Sequence, residues 1–286
     1  MRRFVENGRI HATFDQLGAV SGRIICREPN LQQMPKSLNE DENLRSCFVA
    51  PAGHKLLVAD LSNIELRILA EASNDATMLR FFAEGKDLHS ETARLMFGLS
   101  PEVDPKKHII GGAKARDIAK TINFGLSYGM GADRLARRIG SDLETAKQFM
   151  RTYFNTYKGV ARYLKQSGRK GSQEGYSVTM SGRRRTFLLS SDNTGGIDGA
   201  AKNHPIQGTN ADILKCALAL LHQAMPSDVH IVLTVHDELV LEAPDEKVEE
   251  TEMLLKDCMF RACRHFLKKV AIPESDVLVD SYWVKG

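Results

Sequence analysis

Residues 228–244, DVHIVLTVHDELVLEAP, can form little other than a β-hairpin. Apolar side chains alternate before the centre of this segment at Ile231, Leu233 and Val235, and after it at Leu239 and Leu241. A period of two is typical of strands that bury one face. The centre itself is the polar tripeptide His-Asp-Glu, so we predict a turn that carries two acids.

A second β segment precedes a helix nearer the beginning of the chain. Residues 54–73, HKLLVADLSNIELRILAEAS, start with a short apolar run that stops at Asp60 and continue with apolar residues at mixed spacing. We therefore predict a strand that ends in an acid and passes into a helix. From about residue 77 to residue 163 the pattern is helical, with Gly, Pro and Ser-Asp breakers between the segments.

The remaining segments complete an α+β chain. A hairpin is predicted to turn at Ser181-Gly182, and residues 211–225 predict an apolar helix. Residues 245–269 predict a long amphipathic helix, and residues 275–284 supply a last strand. The predicted architecture is a sheet platform interrupted by a helical insertion, without a linker long enough to separate independent domains.

Composition narrows the class of protein. The 286 residues are 42% hydrophobic and 26% charged, which is ordinary for a globular chain, and the net charge of +3 is too small to establish a polyanionic partner. The five cysteines contain no CxxC pair, so they indicate neither a disulfide framework nor a zinc site. No apolar run approaches the ~18 residues of a membrane span. We expect a soluble protein of the cytoplasm or another reducing intracellular compartment, which is the host cytoplasm for a viral protein.

Four side chains at intervals of four residues suggest a nucleotide site. Arg116, Lys120, Phe124 and Tyr128 form a stripe along one face of a helix. Two cations near the positive end of a helix are unfavourable unless an anion binds there, and the rings offer flat surfaces further along. A nucleotide would fit this stripe, because it has a charged phosphate tail followed by a flat ring.

A plainer interpretation stays open for this helix. Phe124 and Tyr128 can be core aromatic residues while Arg116 and Lys120 extend their charges to solvent. Gly125 and a glycine four residues later argue against it, because glycine costs about 1 kcal/mol relative to alanine within a helix. Glycines at these two positions indicate that another group approaches the helix closely or that the helix ends there.

The acids Asp60 and Asp237 form a second candidate site. Each lies at the end or turn of a β element, and neighbouring strands could bring both carboxylates to shared divalent ions. Either acid alone is more simply a cap or a turn former. Their occurrence together with a phosphate-binding helix favours the metal interpretation.

Three segments resemble, in order and spacing, the polymerase motifs of the DNA polymerase I family, family A. They are residues 58–67 (VADLSNIELR), 116–129 (RDIAKTINFGLSYG) and 235–239 (VHDEL). Residues 8–35 resemble the family's first palm segment, and residues 203–215 resemble the helix before the last motif. The resemblance covers nearly the whole chain.

The resemblance implies a right-hand polymerase fold. A palm made of an antiparallel sheet with packed helices would comprise residues 1–75 and 188–286. An inserted helical fingers subdomain would comprise residues 76–187, with a nucleotide-binding helix at 114–130.

The resemblance also implies roles at the catalytic centre. Asp60 and Asp237 would bind two Mg²⁺ ions, with Mn²⁺ as a substitute, and the backbone carbonyl of Leu61 would complete a site. Lys120 joins the two acids as a catalytic residue.

The implied nucleotide site uses the helical stripe. Arg116 and Lys120 would grip the triphosphate of a dNTP, His89 would also contact phosphate, and Phe124 would stack near the sugar and base. Glu65, packed against Tyr128, would exclude a 2′-hydroxyl. The implied contacts with primer and template are Arg23, Asn30, Gln32, Asn203, Gln207 and His236.

Four positions depart from the family pattern. Leu61 replaces a usual tyrosine, Asn63 a usual glutamine, and Gly199 a common arginine, which weakens one DNA contact. Phe124 stands where tyrosine also occurs, and the resemblance then implies discrimination against dideoxynucleotides.

Family members usually place an exonuclease domain and a helical thumb before the palm. This sequence begins almost at the palm, so we expect neither domain here, and a virus or phage type is one of the alternatives left open. Because thumb contacts with the DNA backbone set salt-dependent affinity, we expect weak, distributive extension unless another chain supplies a thumb or clamp.

The predicted function is template-directed DNA synthesis, in which dNTPs are added to a primer 3′-hydroxyl by two-metal-ion nucleotidyl transfer. A single-subunit RNA polymerase is a second hypothesis, disfavoured by Glu65. A catalytically idle nucleic-acid-binding subunit is a third, disfavoured by the retention of Asp60, Asp237 and Lys120. A purely structural α+β domain leaves the ordered motifs unexplained.

Overall fold

The structure is a computed structural model that describes residues 2–34, 43–188 and 194–284. The chain forms two compact units. The first comprises Met1–Ile64, Asn210–Phe266 and Pro273–Gly286, and the second comprises Glu65–Thr209 and Leu267–Ile272. The palm and fingers bounds expected from the sequence stay a prediction. No helix among the described residues has both the length and the hydropathy to cross a membrane.

Strands and helices follow one another along the chain as the sequence pattern indicates. The strands of the described residues are β1 (Val5–Glu6), β2 (Arg9–Ile10), β3 (Thr13–Asp15), β4 (Ile25–Arg27), β5 (His54–Asp60), β6 (Ile109–Ile110), β7 (Ala113–Lys114), β8 (Tyr176–Val178), β9 (Arg184–Thr186), β10 (His230–Val235), β11 (Glu238–Pro244) and β12 (Val277–Asp280). The α-helices are α1 (Ile64–Ser73), α2 (Ala76–Ala83), α3 (Leu88–Phe97), α4 (Ala115–Ser127), α5 (Ala132–Ile139), α6 (Leu143–Thr156), α7 (Lys158–Glu174), α8 (Thr194–Ala224) and α9 (Val248–Phe266).

The first unit is built on a four-stranded antiparallel sheet with the order β10-β11-β5-β12. The predicted hairpin is β10 and β11, and the predicted strand ending in Asp60 is β5, which lies between β11 and β12. Every residue of β11 is buried, so this strand is covered on both faces. Leu56, Val58, Val240 and Trp283 belong to one core cluster beside the sheet. A buried central strand gives the acid at its end a rigid support.

The second unit is mainly helical, and its helix ends follow capping rules. The carboxylate of Asp75 accepts hydrogen bonds from the backbone nitrogens of Thr77 and Met78, both at 3.1 Å, and so caps α2. The same carboxylate accepts the backbone N–H of Gly159 at 2.8 Å, which ties α2 to α7. The predicted hairpin around Ser181 is β8 and β9. The short pair β6 and β7 was not predicted, because two-residue strands carry no readable alternation.

Helices α7 and α8 approach each other closely at a glycine. A Cβ atom added to Gly171 would lie 2.2 Å from the Cβ of Ala201, a distance that real Cβ atoms do not show. By contrast, a Cβ added to Gly199, also within α8, meets nothing within 4 Å. The two glycines therefore offer a matched pair for testing this packing.

We expect Gly171→Ala to destabilise the protein and Gly199→Ala to stabilise it. Alanine gains up to about 1 kcal/mol of helix propensity at either site, but overpacking at residue 171 costs about 1–3 kcal/mol. Urea unfolding of both variants measures the difference. Equal free energies of unfolding would contradict the close helix contact.

Candidate functional site

Two acids lie at the same end of neighbouring strands in the first unit. Asp60 is the last residue of β5 and pairs in register with Glu238, the first residue of β11, so Asp237 in the hairpin turn comes next to it. The backbone N–H of Leu61 donates to the Asp237 carbonyl at 3.2 Å, which joins the two segments directly. Both Asp60 and Asp237 are partly exposed. The structure thus places the two residues that the sequence proposed as metal ligands at the same end of neighbouring strands.

The third acid of this region has a different environment. Glu238 is buried, and its two carboxylate oxygens lie 3.3 and 3.2 Å from NH1 of Arg45. The indole Nε1 of Trp283 donates to Oε1 of Glu238 at 2.9 Å, and the Arg45 guanidinium lies 4.2 Å from the centroid of the Trp283 ring. Glu238 is therefore held inside the unit as a support of the turn.

The proposed DNA contacts of the first unit lie around the same turn. His236 is exposed and has a φ of 58°, a left-handed conformation that closes the hairpin. Desolvation, followed by the charges of Arg23 and Arg45, lowers the pKa of His236. Gln32 Nε2 donates to the carbonyl of Thr234 at 3.1 Å, so its segment is attached to β10.

Asn30 has a local role in the same segment. Its side-chain oxygen accepts the backbone N–H of Gln32 at 3.1 Å and caps the short 3-10 helix Leu31–Gln33. Its exposed side chain is thereby held in one orientation.

Helix α4 in the second unit has one buried face and one exposed stripe. The buried residues include Ile118, Ile122 and Leu126. Lys120 is exposed, whereas Phe124 and Tyr128 are partly exposed. The rings are therefore not core residues, which disfavours the plainer interpretation of this helix. The stripe presents a cation and two rings on one face.

The rings of the stripe have polar and aromatic neighbours. The centroids of Phe124 and Tyr128 are 6.4 Å apart with an interplanar angle of 30°, and His89 lies 5.4 Å from Phe124. The Tyr128 hydroxyl donates to Oε2 of Glu65, a carboxylate that is 6% exposed. The structure thus brings Glu65 and Tyr128 together, and it places His89 beside the same stripe.

Arg116 has an anionic partner within the protein. Its Nε and NH2 atoms donate to the two oxygens of Asp87, at 2.6 and 3.1 Å. Burial raises the pKa of Asp87, but hydrogen bonds from Arg116 and Ser90 outweigh it and lower that pKa to about 2. Cations near the start of a helix are favourable only with an anion close by, and Asp87 is such an anion for Arg116.

The two glycines of the helix have separate explanations. A Cβ added to Gly125 would meet Sδ of Met130 at 3.0 Å, so glycine permits a close contact there. Gly129 has a φ of 72°, which favours glycine and ends the helix. The helix therefore spans Ala115–Ser127 rather than the expected 114–130. Tyr128 lies at its C-cap.

Helix α8 carries the other two proposed DNA contacts. Asn203 and Gln207 are partly buried and one turn apart, so they share a face. The Oδ1 atom of Asn203 is buried without a hydrogen-bond partner among the described residues, as is typical of an acceptor that serves a ligand. Gly199, four residues before it, faces open space.

No group of three or more His, Cys, Asp and Glu side chains able to hold an ion occurs among the described residues. A site at Asp60 and Asp237 would therefore use two carboxylates, with further ligands from backbone carbonyl, water or substrate. Mg²⁺ bound with substrate phosphates has this ligand set. The carbonyl of Leu61 accepts the backbone N–H of Ile64 at 3.1 Å and keeps a second lone pair.

Sequence reasoning missed several residues that support these sites: Arg45, Asp87, Thr92, Asn123, Tyr157 and Trp283. Most are distant in sequence from the residues they contact, so no local pattern marks them. Asn123 alone had a signal, because it is a polar residue on the apolar face of a periodic helix.

Comparisons with known proteins indicate the family of the chain. The model of the family described as DNA polymerase family A matches residues 1–277. The thermostable DNA polymerase I of Thermus filiformis is 41% identical over 89% of this chain and 30% of the relative. DNA polymerase I of Chloroflexus aurantiacus is 37% identical over 93% of this chain and 28% of the relative. The chain thus spans about 30% of the length of these relatives.

A solved structure is similar over almost the whole chain. It is the POL domain of Pol1 from M. smegmatis, in a complex with DNA primer-template and dNTP. The TM-score is 0.88 at 34% identity, over 99% of this chain and 49% of the other. This similarity confirms the predicted α+β palm and fingers fold.

Proposed function

This chain belongs to family A of the DNA polymerases, and from that premise we propose that it catalyses template-directed DNA synthesis. A primer 3′-hydroxyl attacks the α-phosphate of a dNTP, a new phosphodiester bond forms, and pyrophosphate leaves. The observation that carries the proposal is the placement of Asp60 and Asp237 at neighbouring strand ends.

The two acids fit divalent metal ions. Their oxygens are the ligands that Mg²⁺ prefers, and a pair of carboxylates without histidine or cysteine favours Mg²⁺ or Mn²⁺ over zinc. Bound there, two ions would lower the pKa of the attacking hydroxyl and neutralise charge on the leaving group. The pairing of β5 with β11 supports the proposal, because it holds the backbone of Asp60 beside the turn that contains Asp237.

The exposed cations of α4 bind the triphosphate in this proposal. Lys120, the second residue of the stripe, is exposed and places a point charge beside the β- and γ-phosphates. Arg116 can form paired hydrogen bonds with phosphate oxygens as it does with Asp87. A phosphate would therefore replace the Asp87 carboxylate as the partner of Arg116, or share the Arg116 guanidinium with it. Charge that develops on pyrophosphate is stabilised by groups already in place.

The aromatic end of the stripe selects the sugar. Phe124 stacks on the incoming nucleotide and lacks a hydroxyl, which implies discrimination against dideoxynucleotides. Glu65 is buried and held by Tyr128, so its carboxylate cannot easily move away from a 2′-hydroxyl. The site therefore prefers deoxynucleotides.

Primer and template are the proposed macromolecular partners. Arg23, Gln32 and His236 are the candidate contacts of the first unit, and Asn203 and Gln207 those of the second. Hydrogen-bond donors on these side chains can contact minor-groove acceptors, which occupy similar positions in every correct base pair, so the contacts would not depend on DNA sequence. The expectation that another chain supplies thumb or clamp contacts stays a prediction.

Primer extension tests the proposed function. A labelled DNA primer on a DNA template is incubated in low salt with Mg²⁺ and dNTPs, and parallel reactions contain rNTPs or an excess of EDTA. We expect extension with dNTPs only, and none with EDTA. Extension with rNTPs alone would favour an RNA polymerase, and DNA binding without extension under any condition would favour an idle subunit.

Replacement of the gate residue should change the sugar preference. Glu65→Ala removes the carboxylate beside Tyr128, so we expect rNTP incorporation to rise at least about tenfold relative to dNTP incorporation. This is roughly the effect of losing one contact that discriminates between two substrates. Single-nucleotide insertion with each dNTP and rNTP pair measures this ratio. Glu71→Ala on the same helix is the control, and an unchanged ratio in Glu65→Ala would reject the gate.

A further inference from the structure

A buried hydrogen-bond network lies behind the nucleotide stripe in the second unit. It joins His89 and Thr92 of α3 to Asn123 of α4 and to Tyr157 at the start of α7. These four residues are at most 2% exposed. Asn123 Nδ2 lies 3.0 Å from His89 Nδ1 and 3.2 Å from Thr92 Oγ1, and Thr92 Oγ1 lies 2.7 Å from the Tyr157 hydroxyl.

The hydrogens of this network can be assigned one by one. The Thr92 hydroxyl has two acceptors within reach, the Leu88 carbonyl at 2.7 Å and Asn123 Oδ1 at 3.3 Å. With its hydrogen on the shorter bond, Thr92 Oγ1 accepts from Tyr157 and from one amide hydrogen of Asn123. The other amide hydrogen of Asn123 is directed at His89 Nδ1. Nδ1 is therefore an acceptor, and the ring proton lies on Nε2.

The opposite orientation of the Asn123 amide is less favourable. It would place the amide oxygen beside Nδ1 and leave one amide hydrogen without an acceptor among the described residues. Asn123 is 0% exposed, and a buried donor without a partner costs about 1–3 kcal/mol. The orientation that uses both amide hydrogens is the stable one.

Electrostatics keep the ring neutral. Burial lowers the pKa of His89 most, the charge of Asp87 raises it, and the charges of Arg116 and Lys120 lower it further, to about 4. Asp117 also raises it slightly. A neutral imidazole has a single N–H donor, so its tautomer decides which nitrogen can donate.

The remaining ring nitrogen is available to a ligand. No residue within the described part of the chain forms a hydrogen bond with Nε2 of His89, whose ring lies 5.4 Å from Phe124. The network thus uses Nδ1 and leaves the Nε2–H of a ring that packs beside Phe124 of the stripe.

We infer that Asn123 is a positioning residue that fixes His89 as its Nε2–H tautomer, so that this single N–H donates to an oxygen of the bound nucleotide triphosphate. The ligand in this inference rests on the proposed function, whereas the tautomer does not. Thr92 and Tyr157 hold the Asn123 amide in its donating orientation. In this inference Lys120 and Arg116 supply positive charge, and neutral His89 supplies one hydrogen bond of fixed orientation.

The tautomer is measured without substrate. In the full chain labelled with ¹⁵N-histidine, long-range ¹H–¹⁵N spectra distinguish protonated from unprotonated ring nitrogens, and His89→Gln assigns the signal. We expect Nε2 protonated and Nδ1 unprotonated between pH 6 and 8. Protonation at Nδ1, or an imidazolium at pH 7, would overturn the inference even if the chain extends primers.

Variants of the network supply a second test. Asn123→Asp replaces the donor with an acceptor, so we expect a proton on Nδ1, a higher His89 pKa and an increase in dNTP KM of about tenfold, the size of one charge-assisted hydrogen bond. The double variant Asn123→Asp, His89→Gln should have the same dNTP KM as His89→Gln alone. Additive effects would mean that Asn123 acts on stability alone.

Thr92→Val covers the case in which Asn123→Asp does not fold. It keeps the shape of the side chain but removes the oxygen that orients the amide, so we expect a mixture of both His89 tautomers and a smaller rise in KM. A pure Nε2–H tautomer in Thr92→Val would show that the network does not fix it. If the native chain extends no primer while the native chain and each variant show the tautomer expected of them, the proposed function is rejected and the positioning role of Asn123 stands.

Discussion

Asp237→Asn and Asp60→Asn are each expected to lower the rate of primer extension by roughly 10³-fold or more. Each change removes one of the two carboxylates proposed to bind metal, and a bound ion would supply several kcal/mol of charge stabilisation in phosphoryl transfer. Both side chains are partly exposed, so the fold should persist. Single-turnover extension with Mg²⁺ measures the rate, and circular dichroism verifies the fold.

Asp280→Asn is the matched control. Asp280 ends β12 of the same sheet, but it pairs with Leu56, away from the end of β5 that carries Asp60. Its carboxylate accepts the backbone N–H of Ser281 at 2.6 Å. We expect its extension rate to stay near that of the native chain. Native rates in both Asp60 and Asp237 variants would remove the basis for the proposed metal site.

Arg45→Met is expected to lower the free energy of unfolding by about 3–5 kcal/mol. The change leaves the Glu238 carboxylate buried without its cationic partner, which is the costly way to break an internal ion pair. Arg45 is 6% exposed and Glu238 is 5% exposed, so solvent cannot replace the lost partner. Urea unfolding measures the loss, and a shift of the Asp237 turn should also slow extension.

The double variant Arg45→Met, Glu238→Gln separates charge from packing. A neutral amide in place of Glu238 can still accept from Trp283, so we expect most of the lost stability to return. If the double variant were as unstable as Arg45→Met, the loss would arise from packing against Trp283 and not from the unpaired carboxylate.

The main β elements could be predicted because their signals are local. Alternation around His236 and the apolar run before Asp60 each lie within a few residues, and both became strands of the central sheet. The pairing of β5 with β11 was only a possibility in the sequence, since no short segment encodes which strands become neighbours. The roles assigned to the site residues remain predictions.

Contacts between distant residues could not be predicted. Arg45 and Trp283 reach Glu238 from separate parts of the chain, and Asp87 reaches Arg116 from the preceding helix. Each is an ordinary charged or aromatic residue until tertiary packing buries it. The end of α4 was also placed too late, because the expected helix ran to residue 130, whereas the left-handed Gly129 follows a helix that ends at Ser127.

The position of β5 between β11 and β12 has a consequence for synthesis of the protein on the ribosome. Both neighbours of this strand are encoded far downstream, so β5 emerges with two open edges that can pair with other chains. About 180 residues separate Asp60 from the hairpin, which corresponds to roughly 10–35 s at ordinary translation rates. Slower translation lengthens this exposure, so the yield of native protein should depend on elongation rate and on chaperones that cover open strand edges.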